Sequence, residues 1–143
     1  MARSGLRIEL RPGDPGDLDS IAQIQAASAE ASQWDASEYL KYDFRVAVCD
    51  GRIAGFVVGR QLAEGESELL NLAVDPAFRR RGIGRRLVSA LTSGHAGSLW
   101  LEVRESHLDA RKFYKTLGFC DAGYRPGYYP DSGEGAIVMK VHS

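Results

Sequence analysis

Residues Arg79-Arg80-Arg81-Gly82-Ile83-Gly84-Arg85-Arg86 put five arginines and two glycines into eight positions of a chain whose formal net charge is only −1. Ile83, Leu87, Val88 and Leu91 recur at helical spacing, which places the arginines at the start of an amphipathic helix. Cations at that end oppose the helix dipole by roughly 0.3–1 kcal/mol each, so a merely solvated basic turn is a poor explanation. Helix-terminal N–H groups and converging guanidinium groups suit a phosphate, and a pyrophosphate fits best. A dinucleotide fingerprint shares Gly82-x-Gly84, and Glu102 stands about where its ribose-binding acid would. It fails because Leu87 occupies the third glycine position and the preceding strand ends near Val74. No Gly-Lys-Ser/Thr completes a Walker loop. The basic residues are bunched at one turn rather than spread over a face, so nucleic acid is not the expected partner.

Glu102 is the candidate general base. In Leu99-Trp100-Leu101-Glu102-Val103 the alternation sets Glu102 on one face with Trp100, and the three aliphatic residues on the other. A carboxylate in so apolar a strand should have a raised pKa, which suits proton acceptance near neutral pH. The competing reading is a strand-end acid that reaches solvent or pairs with Arg104, and the residues alone leave the two evenly balanced.

The elements that must position these groups follow from periodicity. Leu6 to Leu10 alternates as a first strand, and Pro12 to Gly16 breaks it. Leu18, Ile21, Ala22 and Ile24 share one stripe of a helix running from Asp17 to about Ala31. A second helix follows Asp35, with Asp35 and Glu38 as a capping box and Trp34 with Tyr39 as a hydrophobic staple. Phe44 to Cys49, Asp50-Gly51 and Ile53 to Gly59 read as a hairpin. Glu68 to Val74 and Leu99 to Val103 are further strands. Ser106 with Asp109 resembles a capping box for a helix that places Ala110, Phe113, Tyr114 and Leu117 on one face and stops at Gly118. Phe119 to Tyr124 and Ala136 to Val141 close the chain, separated by a Gly/Pro/Tyr loop. The pattern predicts a mixed α/β sheet in one domain, residues 1–143.

At 143 residues, with 44% hydrophobic and 26% charged residues, the chain is long enough to bury one core. No run of 18 apolar residues marks a membrane span, and Met1 to Leu6 does not read as a signal peptide. Cys49 and Cys120 lack metal or disulfide spacing and read as buried free thiols of a cytoplasmic protein. His95, His107 and His142 are scattered, so no metal site is expected.

The stretch Arg79-x-x-Gly82-x-Gly84 resembles the Q/R-x-x-G-x-G/A signature of the Gcn5-related N-acetyltransferases, which holds the pyrophosphate of acetyl-coenzyme A. "LLNLAVDPAFRRRGIGRRLV" is similar to that family's strand–loop–helix. "LWLEVRESHLDARKFYKTLGF" and "YRPGYYPDSGEGAIVM" resemble its RimI-like branch, which acetylates the N-terminal alanine of a ribosomal protein. The likeness runs from about Ser67 to Val141. It implies a single-domain fold with a mixed sheet of about seven strands and about four helices. It also implies acetyl-CoA as cosubstrate, held by Leu72, Ala73, Val74, Arg79, Arg80, Arg81, Gly82, Ile83, Gly84 and Arg85. Glu102 becomes the general base, and Tyr114, otherwise a core aromatic of its helix stripe, the general acid toward the thiolate. Tyr128, Tyr129 and Glu134 would line the acceptor slot.

This chain departs from the branch at three places. His107 replaces a coenzyme-contacting Asn, and imidazole can still donate one hydrogen bond. Glu134-Gly135-Ala136 replaces Glu-Asp-Ala, and Gln33-Trp34 replaces Pro-Trp in a loop expected to shape acceptor access. With no G-x-S-x-G elbow and no histidine evident beside either cysteine, direct attack on the thioester is favoured over an acyl-enzyme. A protein or peptide N-terminus is the expected acceptor, possibly that of a ribosomal protein. An acetyltransferase of small amines or lysine side chains, and a non-catalytic acyl-CoA sensor, are the open alternatives.

Overall fold

The computed structural model describes residues 7–28 and 31–142. Seven strands follow in order: β1 (Ile8–Pro12), β2 (Asp43–Cys49), β3 (Arg52–Ala63), β4 (Glu66–Val74), β5 (Ser98–Arg104), β6 (Cys120–Tyr129) and β7 (Glu134–His142). Between them lie α1 (Leu18–Ala26), a 3-10 helix (Ala36–Lys41), α2 (Ile83–Gly94) and α3 (Leu108–Thr116). The sheet order is β1-β2-β3-β4-β5-β7-β6. β4 and β5 pair in parallel, whereas β1–β2, β2–β3, β5–β7 and β6–β7 are antiparallel. This is the mixed seven-stranded α/β architecture the resemblance implied. No helix among the described residues is long and apolar enough to cross a membrane.

The chain divides into two compact units. The first takes in the described residues up to Gly59 together with Asn71–Leu91. Its hairpin turns at Asp50 (φ 50°) and Gly51 (φ 81°), the double positive φ of a type I′ turn. The α2 stripe is as read: Ile83, Leu87, Val88 and Leu91 are all buried. Fully burying such a side chain contributes about 1.5–3 kcal/mol, which outweighs the 0.3–1 kcal/mol that each N-terminal arginine costs. Other elements differ from expectation. Leu6 lies outside the described residues, and β1 runs on through Pro12, tolerated on an edge strand. α1 ends at Ala26 rather than Ala31, and its buried face carries Gln25 where the stripe had Ala22, which is exposed. At Asp35 the carboxylate accepts from Ser37 N–H while Glu38 turns to Lys41, so one cap forms, not a box. The segment behind it winds as a 3-10 helix. The Trp34 and Tyr39 rings do meet, with centroids 6.5 Å apart.

The second unit comprises Arg60–Leu70 and the described residues from Thr92. Leu69, Leu99, Leu101, Val103, Tyr114, Phe119, Ala136 and Met139 are its buried core. The parallel ladder begins where Ser98 N–H donates to Gly65 O at 2.8 Å. It spans only Glu66–Glu68 against Ser98–Trp100, so β5 continues to Arg104 with β7 alone in register. α3 closes at Gly118 (φ 95°), whose N–H and that of Phe119 return to the last helical carbonyls. The Gly/Pro/Tyr segment is not a loop: β6 extends through it to Tyr129, with an irregular register between Arg125 and Tyr129. As an edge strand, β6 accommodates Pro126, which has no N–H to donate. Cys49 is buried as expected, but Cys120 is exposed, because the outward-facing start of β6 buries none of its side chains.

Candidate active site

Within the first unit, the arginine turn leads directly into α2. Arg80 (φ 66°) and Gly82 (φ 75°) both take left-handed backbone. A side chain at Gly82 would meet no atom within 4 Å, so conformation, not space, calls for glycine there. Arg79 Nε donates to Val74 O at 3.3 Å, and Arg86 reaches Ile8 O. Arg80, Arg81, Gly82 and Arg85 are exposed, Ile83 is buried, and Gly84 lies between. The first turn of α2 contains no acidic residue. This donor set suits a polyphosphate: exposed guanidinium groups and N–H groups ahead of a helical turn that holds no acid.

β4 leads into this turn through Leu72, Ala73 and Val74. Gly55 of β3 lies against it so closely that a Cβ would fall 2.8 Å from Ala73 O. The residue before them, Asn71, is 4% exposed and sits on the same strand face as Leu69 and Ala73. Its Nδ2 donates to Gln25 Oε1, Ser32 O and Tyr39 Oη at 2.9–3.1 Å. Its Oδ1 accepts from Ser32 N–H and Leu72 N–H. Tyr39 in turn donates to Gln25 Oε1. Every member of such a buried network has a partner, which is the condition for it to hold one geometry. Sequence reading missed its role, although a polar residue on the apolar face of a strand was the available signal. Gln33, standing where the branch has proline, binds Gln25 O at 2.7 Å and so ties the 31–35 loop to α1.

In the second unit, Glu102 lies half-buried on β5 with Trp100, and Leu101 and Val103 face the core. Apolar Leu62, Trp100, Leu101 and Val138 line its pocket as expected, but two polar partners reach it as well. Tyr128 hydroxyl donates to Oε1 at 3.1 Å. Arg125 Nε makes ion-pair contact with Oε2, yet that buried oxygen accepts no hydrogen bond. Burial, and then the hydrogen bond to Glu102, hold the Tyr128 hydroxyl above its usual pKa, so it remains a donor. Glu102 also lines a pocket of about 130 Å³ with Leu62, Glu66, Glu68, Trp100 and Arg125. Arg104, the alternative partner, turns instead to Asp131 and Glu134 and stacks 4.0 Å over the Tyr129 ring. Sequence reading assigned no role to Arg125.

Glu134 accepts from Ser106 N–H at 2.6 Å, and the Ser106 side chain first, then this bond, keeps its carboxyl below the ordinary carboxylate range. The glycine after it has a steric reason. A Cβ at Gly135 would fall 2.3 Å from the Tyr124 hydroxyl, which donates to Glu105. The space for the branch's aspartate is filled by Tyr124. α3 is capped by His107, not Ser106: its Nδ1 accepts from Ala110 N–H at 3.2 Å. In the neutral imidazole that bond assigns the proton to Nε2, which can donate. Tyr114 is buried between Phe113 and Phe119, with ring centroids 5.2 and 5.4 Å away. Among the described residues no group of three or more His, Cys, Asp or Glu is placed to hold a metal ion.

Residues 17–119 match the model of the acetyltransferase (GNAT) family. The [ribosomal protein bS18]-alanine N-acetyltransferase of Salmonella typhimurium is 37% identical over 136 residues, 87% of this chain and 90% of that protein. Two crystal structures share the fold closely. Ard1 from Thermoplasma volcanium superposes with a TM-score of 0.82 at 32% identity, covering 94% of this chain and 96% of that one. The ribosomal-protein-S18-alanine N-acetyltransferase from Escherichia coli gives 0.78 at 30% identity, covering 94% and 93%.

Proposed function

The chain belongs to the GNAT acetyltransferase family and is an acetyl-CoA-dependent N-acetyltransferase, and we propose that its acceptor is the N-terminal α-amino group of a protein. One observation carries this reading: nearly the whole chain is similar to an enzyme that acetylates the N-terminal alanine of a ribosomal protein. Such an N-terminus is therefore the first acceptor to consider. An α-amino group, with a reference pKa of about 7.7–8.0, also needs less help to lose its proton than a lysine near 10.4.

The donor set fits acetyl-CoA. Arg79, Arg80, Arg81, Arg85 and the N–H groups from Gly82 to Gly84 take the pyrophosphate, and Leu72 to Val74 offer backbone groups to the pantetheine arm. His107 replaces an asparagine contact through Nε2–H. Bound acetyl-CoA supplies the acetyl group as a thioester. Glu102 Oε2 takes one proton from the acceptor ammonium, which frees the nitrogen lone pair for direct attack. Backbone N–H groups of β4 steady the carbonyl oxygen as it gains charge. The Tyr114 hydroxyl gives its proton to the departing thiolate and recovers one from the nitrogen. Tyr128 and Tyr129 flank the acceptor, and Glu134 fixes the turn beside it through Ser106.

Thiol release from acetyl-CoA with Ala-, Ser- and Met-starting peptides, each beside its N-terminally blocked twin, tests the acceptor. Turnover should need the free N-terminus and depend on the first residue. Equal turnover of blocked, lysine-containing peptides would move the acceptor to a side chain.

A further inference from the structure

A base at Glu102 leaves Arg125 to be explained. Arg125 and Arg104 both pair with Ala136 from opposite sides of β7, so the Arg125 side chain crosses one strand to reach Glu102. It does so while 61% exposed, toward a carboxylate that is 16% exposed. A guanidinium can grip both oxygens of a carboxylate, but here Tyr128 holds Oε1 and Arg125 Nε pairs with Oε2. The other charged groups around the pocket have different partners. Glu66 accepts from Trp100 Nε1–H, Glu68 pairs with Arg60, and Lys140 lies over the Trp100 ring. Arg125 is the cation placed at the oxygen where an acceptor must leave its proton.

We propose that Arg125 is an internal stand-in for the acceptor's ammonium group, a positioning residue that neutralises Glu102 at rest and yields its place to the incoming –NH3+. The inference rests on Glu102 being the base. Exchanging one cation for another leaves the charge of the site unchanged, so the acceptor docks as the ammonium ion, its major form at neutral pH. One N–H bond of that ion then breaks as an O–H bond forms on Oε2, and Arg125 keeps its own protons throughout. The acetylated product is an uncharged amide that cannot compete for Glu102, so once Oε2 has passed its proton to water the return of Arg125 favours product release. The exchange is cheap because the buried Oε2 is never left without a cation: one leaves as the other arrives, and the Arg125 end of the pair is open to water. The irregular register between Arg125 and Tyr129 leaves this part of β6 without regular ladder partners to hold it.

The test is titration of the coenzyme A complex with an Ala-starting peptide and with its twin bearing propionyl in place of alanyl, which lacks the amine. Arg125→Gln should bind the free-amine peptide about fivefold more tightly and leave the amine-free twin within about twofold. Arg125→Lys should restore the wild-type ratio of the two affinities. If both peptides shift together in Arg125→Gln, or the free-amine peptide binds more weakly, the inference is overturned. Glu102→Gln separates the two levels. Full turnover in that variant overturns the base and Arg125's role with it. An inactive Glu102→Gln beside an unchanged affinity ratio in Arg125→Gln overturns the role of Arg125 alone.

Discussion

The two oxygens of Glu102 differ: Oε1 is held by the Tyr128 hydroxyl, and Oε2 accepts no hydrogen bond. A carboxylate tethered at one oxygen keeps its orientation while the other, paired with Arg125, is the one that can exchange its partner and take a proton. Replacing it by the isosteric amide in Glu102→Gln should lower kcat by about 10²–10⁴-fold, the usual worth of a positioned base. Tyr114→Phe keeps the ring between Phe113 and Phe119 and so preserves packing. It should lower the rate by only about tenfold, because a thiol of pKa near 8.5 leaves tolerably as the thiolate. Single-turnover rates of the two variants decide the ranking, and a Tyr114→Phe slower than Glu102→Gln reverses it.

At the scale of elements, α2 is assembled with its charge the wrong way round. It carries arginines before its first turn, no acid in that turn and no base in its last. Burial of Ile83, Leu87 and Leu91 holds it in place regardless. Function and stability should therefore respond in opposite directions. Changing Arg80, Arg81 and Arg85 together to Ala should weaken acetyl-CoA binding about tenfold or more, with a shallower salt dependence. The melting temperature should hold or rise, since each removed cation relieves roughly 0.3–1 kcal/mol of dipole repulsion. Calorimetric titration and thermal melts read both effects. A lower melting temperature with coenzyme affinity intact would make the cluster a structural feature only.

For the molecule as a whole, acid stability turns on carboxylates the fold has paired. Asp17 is buried and receives both terminal nitrogens of Arg11 at 2.8 and 2.9 Å. The Arg11 hydrogen bonds, foremost, hold its carboxyl below the ordinary value of 3.8. A folded-state pKa below the unfolded one means this contribution is complete above the unfolded value and is lost as pH falls through it toward the folded one. Urea unfolding from about pH 5 down to about pH 2 should show stability falling with pH. Asp17→Asn should flatten that slope and leave the chain less stable at neutral pH. An unaltered slope would show that other carboxylates govern acid unfolding.

The sequence by itself determined whatever lies within one element or one turn. Asp50-Gly51 specified the hairpin, the spacing of Ile83, Leu87 and Leu91 specified α2, and alternation in β5 set Glu102 apart from its aliphatic neighbours. The exposed basic turn before α2 was legible for the same reason, since all its groups are consecutive. The tertiary structure alone decided which distant residues meet. Asn71 binds partners 32, 39 and 46 residues away, and Arg125 reaches Glu102 only because β7 lies between β5 and β6 in the sheet. Local periodicity fixes which face a side chain occupies, but strand order and register fix what lies opposite. That is why Tyr128 and Arg125 were not foreseen as partners of Glu102, and why a histidine rather than a serine caps α3.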